Sequence, residues 1–274
     1  MVVGQYKIGA IIQARLGSTR LPNKVMLPLP LGSQNTIISE IIERVKDISE
    51  ISNVIVATST SKVNNDLESY INGLKVQCYR GSENDVLSRF HDIAIQHELE
   101  YIIRLTGDNP IVDSTLLREF ILRFISNNLD YSSSSNLPLG CNFEMMKASE
   151  IINANKYTDN RFDREHVTPY IKRNARKTQS FIFNNINIVK DLRLTIDYPS
   201  DYAVINLVYL MLENRSKSIN NISEIVKENG WILDINKRNF QKVEFNSIAE
   251  EIESILPVID ERNMHRLKKV LINL

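Results

Sequence analysis

The chain has 274 residues, enough for one large α/β domain or a domain with an appendage, and its 33 Lys plus Arg balance 33 Asp plus Glu. A net charge of zero excludes a global field drawing the protein to nucleic acid or anionic lipid, so any polyanion it binds is small and met by local charge. Cys78 and Cys141 are too few and too far apart for a disulfide framework or a cysteine zinc site, and a reduced cytoplasm is the expected compartment. Neither a membrane nor a secretory route is expected. The opening has no charged segment followed by a long apolar core, and the run Ala203 to Leu212 is broken by Asn206 and far short of the ~20 residues a spanning helix needs.

Taken in chain order, the apolar run around Ile8–Ile12 reads as a buried parallel strand that empties into a loop of small residues. Open α/β sheets bind ligands at that carboxyl edge. Arg15, Arg20 and Lys24 supply fixed positive charge there, and backbone N–H groups near Gly17, Ser18 and Thr19 can hold phosphate oxygens. Neither G-x-G-x-x-G nor G-x-x-x-x-G-K-[ST] is present, so the common dinucleotide and P-loop readings lose weight. Taken alone, the same cations also fit a solvated surface turn.

Ile37, Ile38, Ile41, Ile42, Val45 and Ile48 recur at helical spacing, and Asn53–Thr58 follows as a second strand. The pattern continues with a polar helix near Asn64–Asn72, a strand at Lys75–Tyr79, a helix from Asn84 to His97 and a strand at Tyr101–Thr106. Such alternation predicts a mostly parallel sheet covered by helices on both faces, with right-handed crossovers. Beyond Asp130, the Ser132–Ser135 run and Leu137-Pro138-Leu139-Gly140 predict a turn-rich insertion on the substrate side. The sheet is then expected to resume at Leu192–Ile196, before a helix opened by Pro199. From about Asn246 to Leu274 an amphipathic tail is expected to pack on its own domain, with Pro257 kinking it or dividing it into two helices. This gives a domain over 1–240 and a helical extension over 241–274.

Carboxylates fall at the exits of two of these strands. Asp108, in Gly107-Asp108-Asn109-Pro110, sits where an Mg²⁺–nucleotide complex would meet protein oxygen, since Mg²⁺ takes one or two carboxylates plus phosphate and water. Asp197, in Asp197-Tyr198-Pro199, lies at the second exit and could share that ion. Plain turn or helix capping is the alternative for both. The turn Arg80-Gly81-Ser82-Glu83 could read a base, because a cytosine needs an acceptor for its amine and donors for N3 and O2. No histidine shows zincin spacing and no nucleophile elbow occurs.

The segment Gln13–Val25 resembles the nucleotide-binding signature of the cytidylyltransferases, most closely the acylneuraminate type that includes spore coat polysaccharide biosynthesis proteins. The likeness extends over most of the chain, through Thr106–Pro110, Gly140–Glu144 and Asp163–Ile171, and is weak over the tail. It implies a Rossmann-like fold of the nucleotide-diphospho-sugar transferase kind. It implies CTP as co-substrate, Mg²⁺ as cofactor, and transfer of CMP to an acidic sugar with release of pyrophosphate, in glycan precursor synthesis. On this resemblance, Arg15, Lys24, Asp108 and Asp197 carry the reaction, the two aspartates holding the metal. Ala14, Gly17, Ser18, Arg20, Gly81 and Ser82 bind the nucleotide, while Asn142, Glu144, Arg164 and His166 face the acceptor. Asn23, Asn109 and Asn142 stand where the family more often has Gly, Cys and Asp; the last change bears on acceptor identity. A homodimer is left open. A glycosyltransferase of related fold and a catalytically silent nucleotide-binding subunit are the rival readings. The first would not need a cationic loop aimed at pyrophosphate, and retention of Lys24, Asp108 and Asp197 argues against the second.

Overall fold

The computed structural model describes residues 6–184, 186–240 and 247–272. Strand β1 (Ile8–Gln13) alternates its side chains between two apolar layers, Ala10 and Ile12 entering one and Ile11 the other. A strand buried on both faces is what the unbroken apolar run demands. Around it, β2 (Asn53–Ser59), β3 (Gln77–Gly81), β4 (Tyr101–Thr106), β5 (Tyr131–Ser135), β6 (Glu144–Lys147) and β7 (Thr178–Ile182) form a seven-stranded sheet in the order β3-β2-β1-β4-β6-β5-β7. The β3-β2-β1-β4 half is wholly parallel, β6 runs antiparallel to both β4 and β5, and β5 pairs parallel with β7. The exits of the four parallel strands therefore share one edge.

Helices α1 (Ile37–Lys46) and α4 (Ser114–Ser126) cover one face, and α3 (Val86–Gln96) and α5 (Ala148–Tyr157) the other. α1 begins at Thr36, whose side chain accepts from Ser39 N in a reciprocal capping box, and α3 and α4 begin at Asp85 and Asp113, which accept from Ser88 N and Leu116 N. Helix α2 (Asn65–Gly73) lies between β2 and β3; α6 (Arg161–His166) and α7 (Pro169–Asn174) follow α5. Helices α8 (Pro199–Leu212), α9 (Ile219–Glu228) and α10 (Ile232–Asn236) complete a unit that ends at Arg238.

Several expectations are corrected. The third strand starts later than Lys75, because Lys75 sits in the left-handed region at φ 58° and ends the preceding turn. The serine run is not a turn but strand β5, with Ser132 and Ser134 buried and their hydroxyls bonded to Gln179 O and to Phe143 N. Residues Leu192–Ile196 do not rejoin the sheet as a strand; they make one isolated bridge, Leu139 with Arg193. The edge strand beside β5 is β7, which the sequence pattern does not announce.

A second unit, Asn239–Leu274, contains α11 (Ile248–Glu261) and α12 (His265–Ile272). α11 passes through Pro257 without ending there, and the break falls at Arg262–Met264, where Asn263 adopts φ 55°. The boundary expected at 240/241 adjoins residues 241–246, which lie outside the described residues, as does the expected start of the tail at Asn246.

Candidate active site

The loop after β1 is tied down from beneath by Asn64, which is buried, accepts from Leu16 N at 2.9 Å and donates to Ser59 Oγ at 2.8 Å. Within the loop, Ser18 N donates to Leu16 O at 2.8 Å, while Arg15 and Gly17 are exposed. Asn23 then takes φ 55° and turns the chain into the short helical turn Lys24–Met26. The asparagine thus supplies the left-handed conformation that a glycine would supply.

Lys24 draws the carboxylates of Asp108 and Asp197 together. Its ammonium lies 2.8 Å from Asp108 Oδ2, 2.8 Å from the Ile196 carbonyl and 2.9 Å from Asp197 Oδ1. Asp197 is gripped further by Arg20 Nη2 on Oδ1 at 3.1 Å and by Arg193 Nη2 on Oδ2 at 3.0 Å. Burial alone would raise the Asp108 carboxyl, but the charge and hydrogen bond of Lys24, with a bond from Thr106, hold it below the usual carboxylate range. Asp201, fully buried, pairs with Arg193 Nε at 2.9 Å and accepts from the backbone of Asp197 and Tyr198 at 3.0 Å. The Arg20 guanidinium lies over the Tyr198 ring, 4.8 Å from its centroid. Asp108 and Asp197 are therefore neighbours across one lysine, although 192–196 is not a sheet strand.

Close backbone approach makes this possible. A Cβ on Gly107 would stand 2.9 Å from Ala14 Cβ and 3.2 Å from the Gln13 carbonyl, so only glycine lets the Asp108 turn lie against the cationic loop. Gly140, at φ +96°, meets the Asp197 segment in the same way: a Cβ there would stand 2.5 Å from Thr195 N, and Leu194 N donates to Leu139 O at 2.7 Å.

Beside this cluster lies a cavity of about 280 Å³ whose lining includes Arg104, Thr106, Asn109, Asn142, Glu144 and Lys172. Glu144 is its centre of charge. Its Oε2 pairs with Arg104 Nη1 at 2.8 Å, and its Oε1 receives Tyr131 Oη and Lys172 Nζ at 2.7 Å and Thr168 Oγ1 at 3.2 Å. Burial would push the Glu144 carboxyl up, yet Arg104 and Lys172 overcome it and bring the pKa down to about 2. Those two cations against one carboxylate leave the cavity with a positive excess. Arg104 Nε and Asn109 Oδ1 are buried without a partner among the described residues, a donor and an acceptor held by cavity-lining residues.

Of the residues expected to face the acceptor, Asn142 and Glu144 line the cavity and Arg164 and His166 do not. Arg164 spends its guanidinium on Asp85 Oδ2 (2.8 Å), the Thr158 carbonyl (2.7 Å) and Asn155 Oδ1 (3.1 Å), fastening α6 to α3 and α5. His166 is exposed and packs on Phe162 with ring centroids 4.5 Å apart. Lys172, just beyond the segment, lines the cavity instead, and Thr168 bonds to Glu144. Gly81 closes β3 with Ser82 exposed beyond it, and a Cβ on Gly81 would strike Arg89 Cγ at 2.7 Å. Arg104, Lys172, Arg193, Arg89 and Asn64 were not anticipated. Arg104 and Arg193 carry a readable signal, a cation inside an otherwise apolar run.

A cationic loop after the first strand of a parallel sheet, facing Asp108 at a neighbouring strand exit and Asp197 just ahead of a helix, is the arrangement of a nucleotidyltransferase of Rossmann-like fold. The chain belongs to the cytidylyltransferase family, whose model matches residues 9–230. It is 35% identical over 207 residues to the spore coat polysaccharide biosynthesis protein SpsF of Bacillus subtilis, covering 73% of this chain and 85% of that one. It is 26% identical over 119 residues to 3-deoxy-manno-octulosonate cytidylyltransferase of Solibacter usitatus, across 43% of this chain and 45% of that one. A solved cytidylyltransferase from Leptospira borgpetersenii superposes with a TM-score of 0.75 at 29% identity, covering 87% of this chain and all of that one. No helix among the described residues is long and apolar enough to cross a membrane.

Proposed function

We propose that this cytidylyltransferase transfers CMP from CTP to a hydroxyl of an acidic sugar. The acceptor oxygen attacks the α-phosphorus, the bond from that phosphorus to the bridging oxygen breaks, and pyrophosphate leaves. The observation that carries the reading is the continuity of β4: Arg104 and Thr106 line the positively charged cavity, and Asp108, two residues further on, meets Lys24. One strand thus joins a site suited to a small anion with a site suited to a polyphosphate.

In this scheme Arg15 and Lys24 hold the triphosphate and neutralise charge that grows on the departing pyrophosphate, with Arg20 assisting. Asp108 and Asp197 are the residues that would hold Mg²⁺. The donor set fits: both are hard oxygen ligands on one lysine, and no group of three or more His, Cys, Asp or Glu among the described residues could hold an ion unaided, so phosphate and water would complete the shell. The ion would supply charge neutralisation on the phosphates. Asp197, engaged on both oxygens by Lys24, Arg20 and Arg193, serves as an anchor for cations, and the acceptor proton leaves to solvent. In the cavity, the excess charge of Arg104 and Lys172 supports an acceptor carboxylate, and Asn142 and Asn109 offer amide groups to its hydroxyls. Pyrophosphate release, measured with CTP, UTP, GTP and ATP against a panel of acidic and neutral sugars, tests the reading. Release that depends on CTP and an acidic sugar supports it; equal release with neutral sugars or purine triphosphates overturns it.

A further inference from the structure

Arg89, in the first turn of α3, has only 3% of its surface exposed. The absence of a side chain at Gly81 gives its stem passage to the carboxyl edge of the sheet. There Nη1 donates over 3.4 Å to the Ala57 carbonyl, which also accepts from Ala14 N at 3.1 Å. The guanidinium therefore lies at the foot of the loop that begins with Ala14 and Arg15.

No carboxylate among the described residues pairs with this charge directly, although Asp85 and Glu83 favour it through space. Its Nε is buried without a partner, and it forms no ion pair among the described residues. Asp85, four residues away on the same helix start, is already used, accepting from Ser88 N at 2.9 Å and from Arg164 Nε at 2.8 Å. Burial, with the like charge of Arg15, pulls the Arg89 pKa down to about 10, which leaves the group cationic at neutral pH. A buried cation with no direct ion pair opposes folding, and its field is weakly screened.

We propose that Arg89 is a nucleotide-binding residue, supplying buried positive charge to the bound nucleotide from beneath the Ala14–Thr19 loop. The inference rests on the CTP reading above. The arriving ligand provides the acceptor that the protein withholds, so part of the cost of the unpaired cation in the free protein is recovered on binding. The group it meets is an acceptor of the nucleotide, either a phosphate oxygen or a base carbonyl.

The test compares wild type with Arg89→Met, which keeps the stem and deletes the charge, by calorimetric titration with Mg²⁺ and CTP or inorganic tripolyphosphate, and by thermal unfolding without ligand. The variant is expected to unfold at a higher temperature than wild type and to bind CTP about tenfold to a hundredfold more weakly. An equal loss for tripolyphosphate assigns the contact to the phosphate chain; a loss confined to CTP assigns it to the base. Arg89→Lys, which keeps the charge, should recover most of the affinity. A Met variant that binds CTP as wild type does, or that is less stable or fails to fold, overturns the proposal, because the arginine would then be structural. Wild-type protein that binds neither probe overturns the CTP reading and this inference together.

Discussion

Lys24 Nζ stands 2.8 Å from Asp108 Oδ2, so the loop cation and the strand-exit carboxylate neutralise each other before any nucleotide arrives. A triphosphate with its metal offers both groups new partners. The pair is thus a resting contact that binding would exchange. Lys24→Met is expected to lower turnover by roughly a hundredfold or more, because it removes charge that meets the departing pyrophosphate. Steady-state rates beside unfolding midpoints check this, with a folded variant expected.

Asp108→Asn and Asp197→Asn should both reduce activity strongly and raise the Mg²⁺ concentration needed for the remainder. Their stabilities should differ. Asp197 holds Arg20, Lys24 and Arg193, whereas the ion pair of Asp108 is with Lys24, so the second substitution should destabilise more. If the two aspartates share one ion as proposed, the activity loss of the double variant falls short of the product of the single losses. Mg²⁺ titrations of all three variants provide the measurement.

Glu144→Gln should destabilise the protein by about 2 kcal/mol at neutral pH, as Arg104 and Lys172 lose their counter-charge. The folded pKa of Glu144, about 2, lies below the unfolded value of about 4.3. Its contribution is therefore complete above pH 5 and is lost as pH falls from about 4.3 towards 2. Urea unfolding of both proteins across that range should show the gap closing.

Arg104→Met and Lys172→Met should raise KM for the acidic acceptor about tenfold or more while leaving KM for CTP near its wild-type value. Arg164→Met should behave in the opposite manner, lowering the unfolding midpoint without a selective effect on the acceptor. Its bonds join α6 to α3 and α5 and none reaches the cavity. Kinetics with each substrate varied in turn separates the two outcomes.

The parallel half of the sheet was readable because Ile8–Ile12, Asn53–Thr58 and Tyr101–Thr106 are continuous apolar runs between helical periods. The β5–β7 pair was not. Four serines give no hydrophobic alternation, and they form a strand because partners at Gln179 and Phe143 satisfy their hydroxyls. The same division runs through the site. Lys24 and Asp108 follow from strand exits, whereas Asp197 reaches them from a segment that forms no strand, and Arg164 and His166 belong to a motif in which Thr168, with Lys172 just beyond it, turns towards Glu144 instead. Two short helices, α6 and α7, set that orientation, and no linear spacing reports it.

Gly140 leaves no room between two backbones: the chain leading to Asn142 and the chain leading to Asp197 are pressed together at Thr195 and held by the Leu194–Leu139 bond. A guest settling against Asn142 and a guest settling on Lys24 would push on opposite sides of that seam. Main chain against main chain has no rotamer with which to absorb the push. A side chain added at Gly140 would therefore displace both chains at once. Two segments far apart in sequence thus share one steric limit.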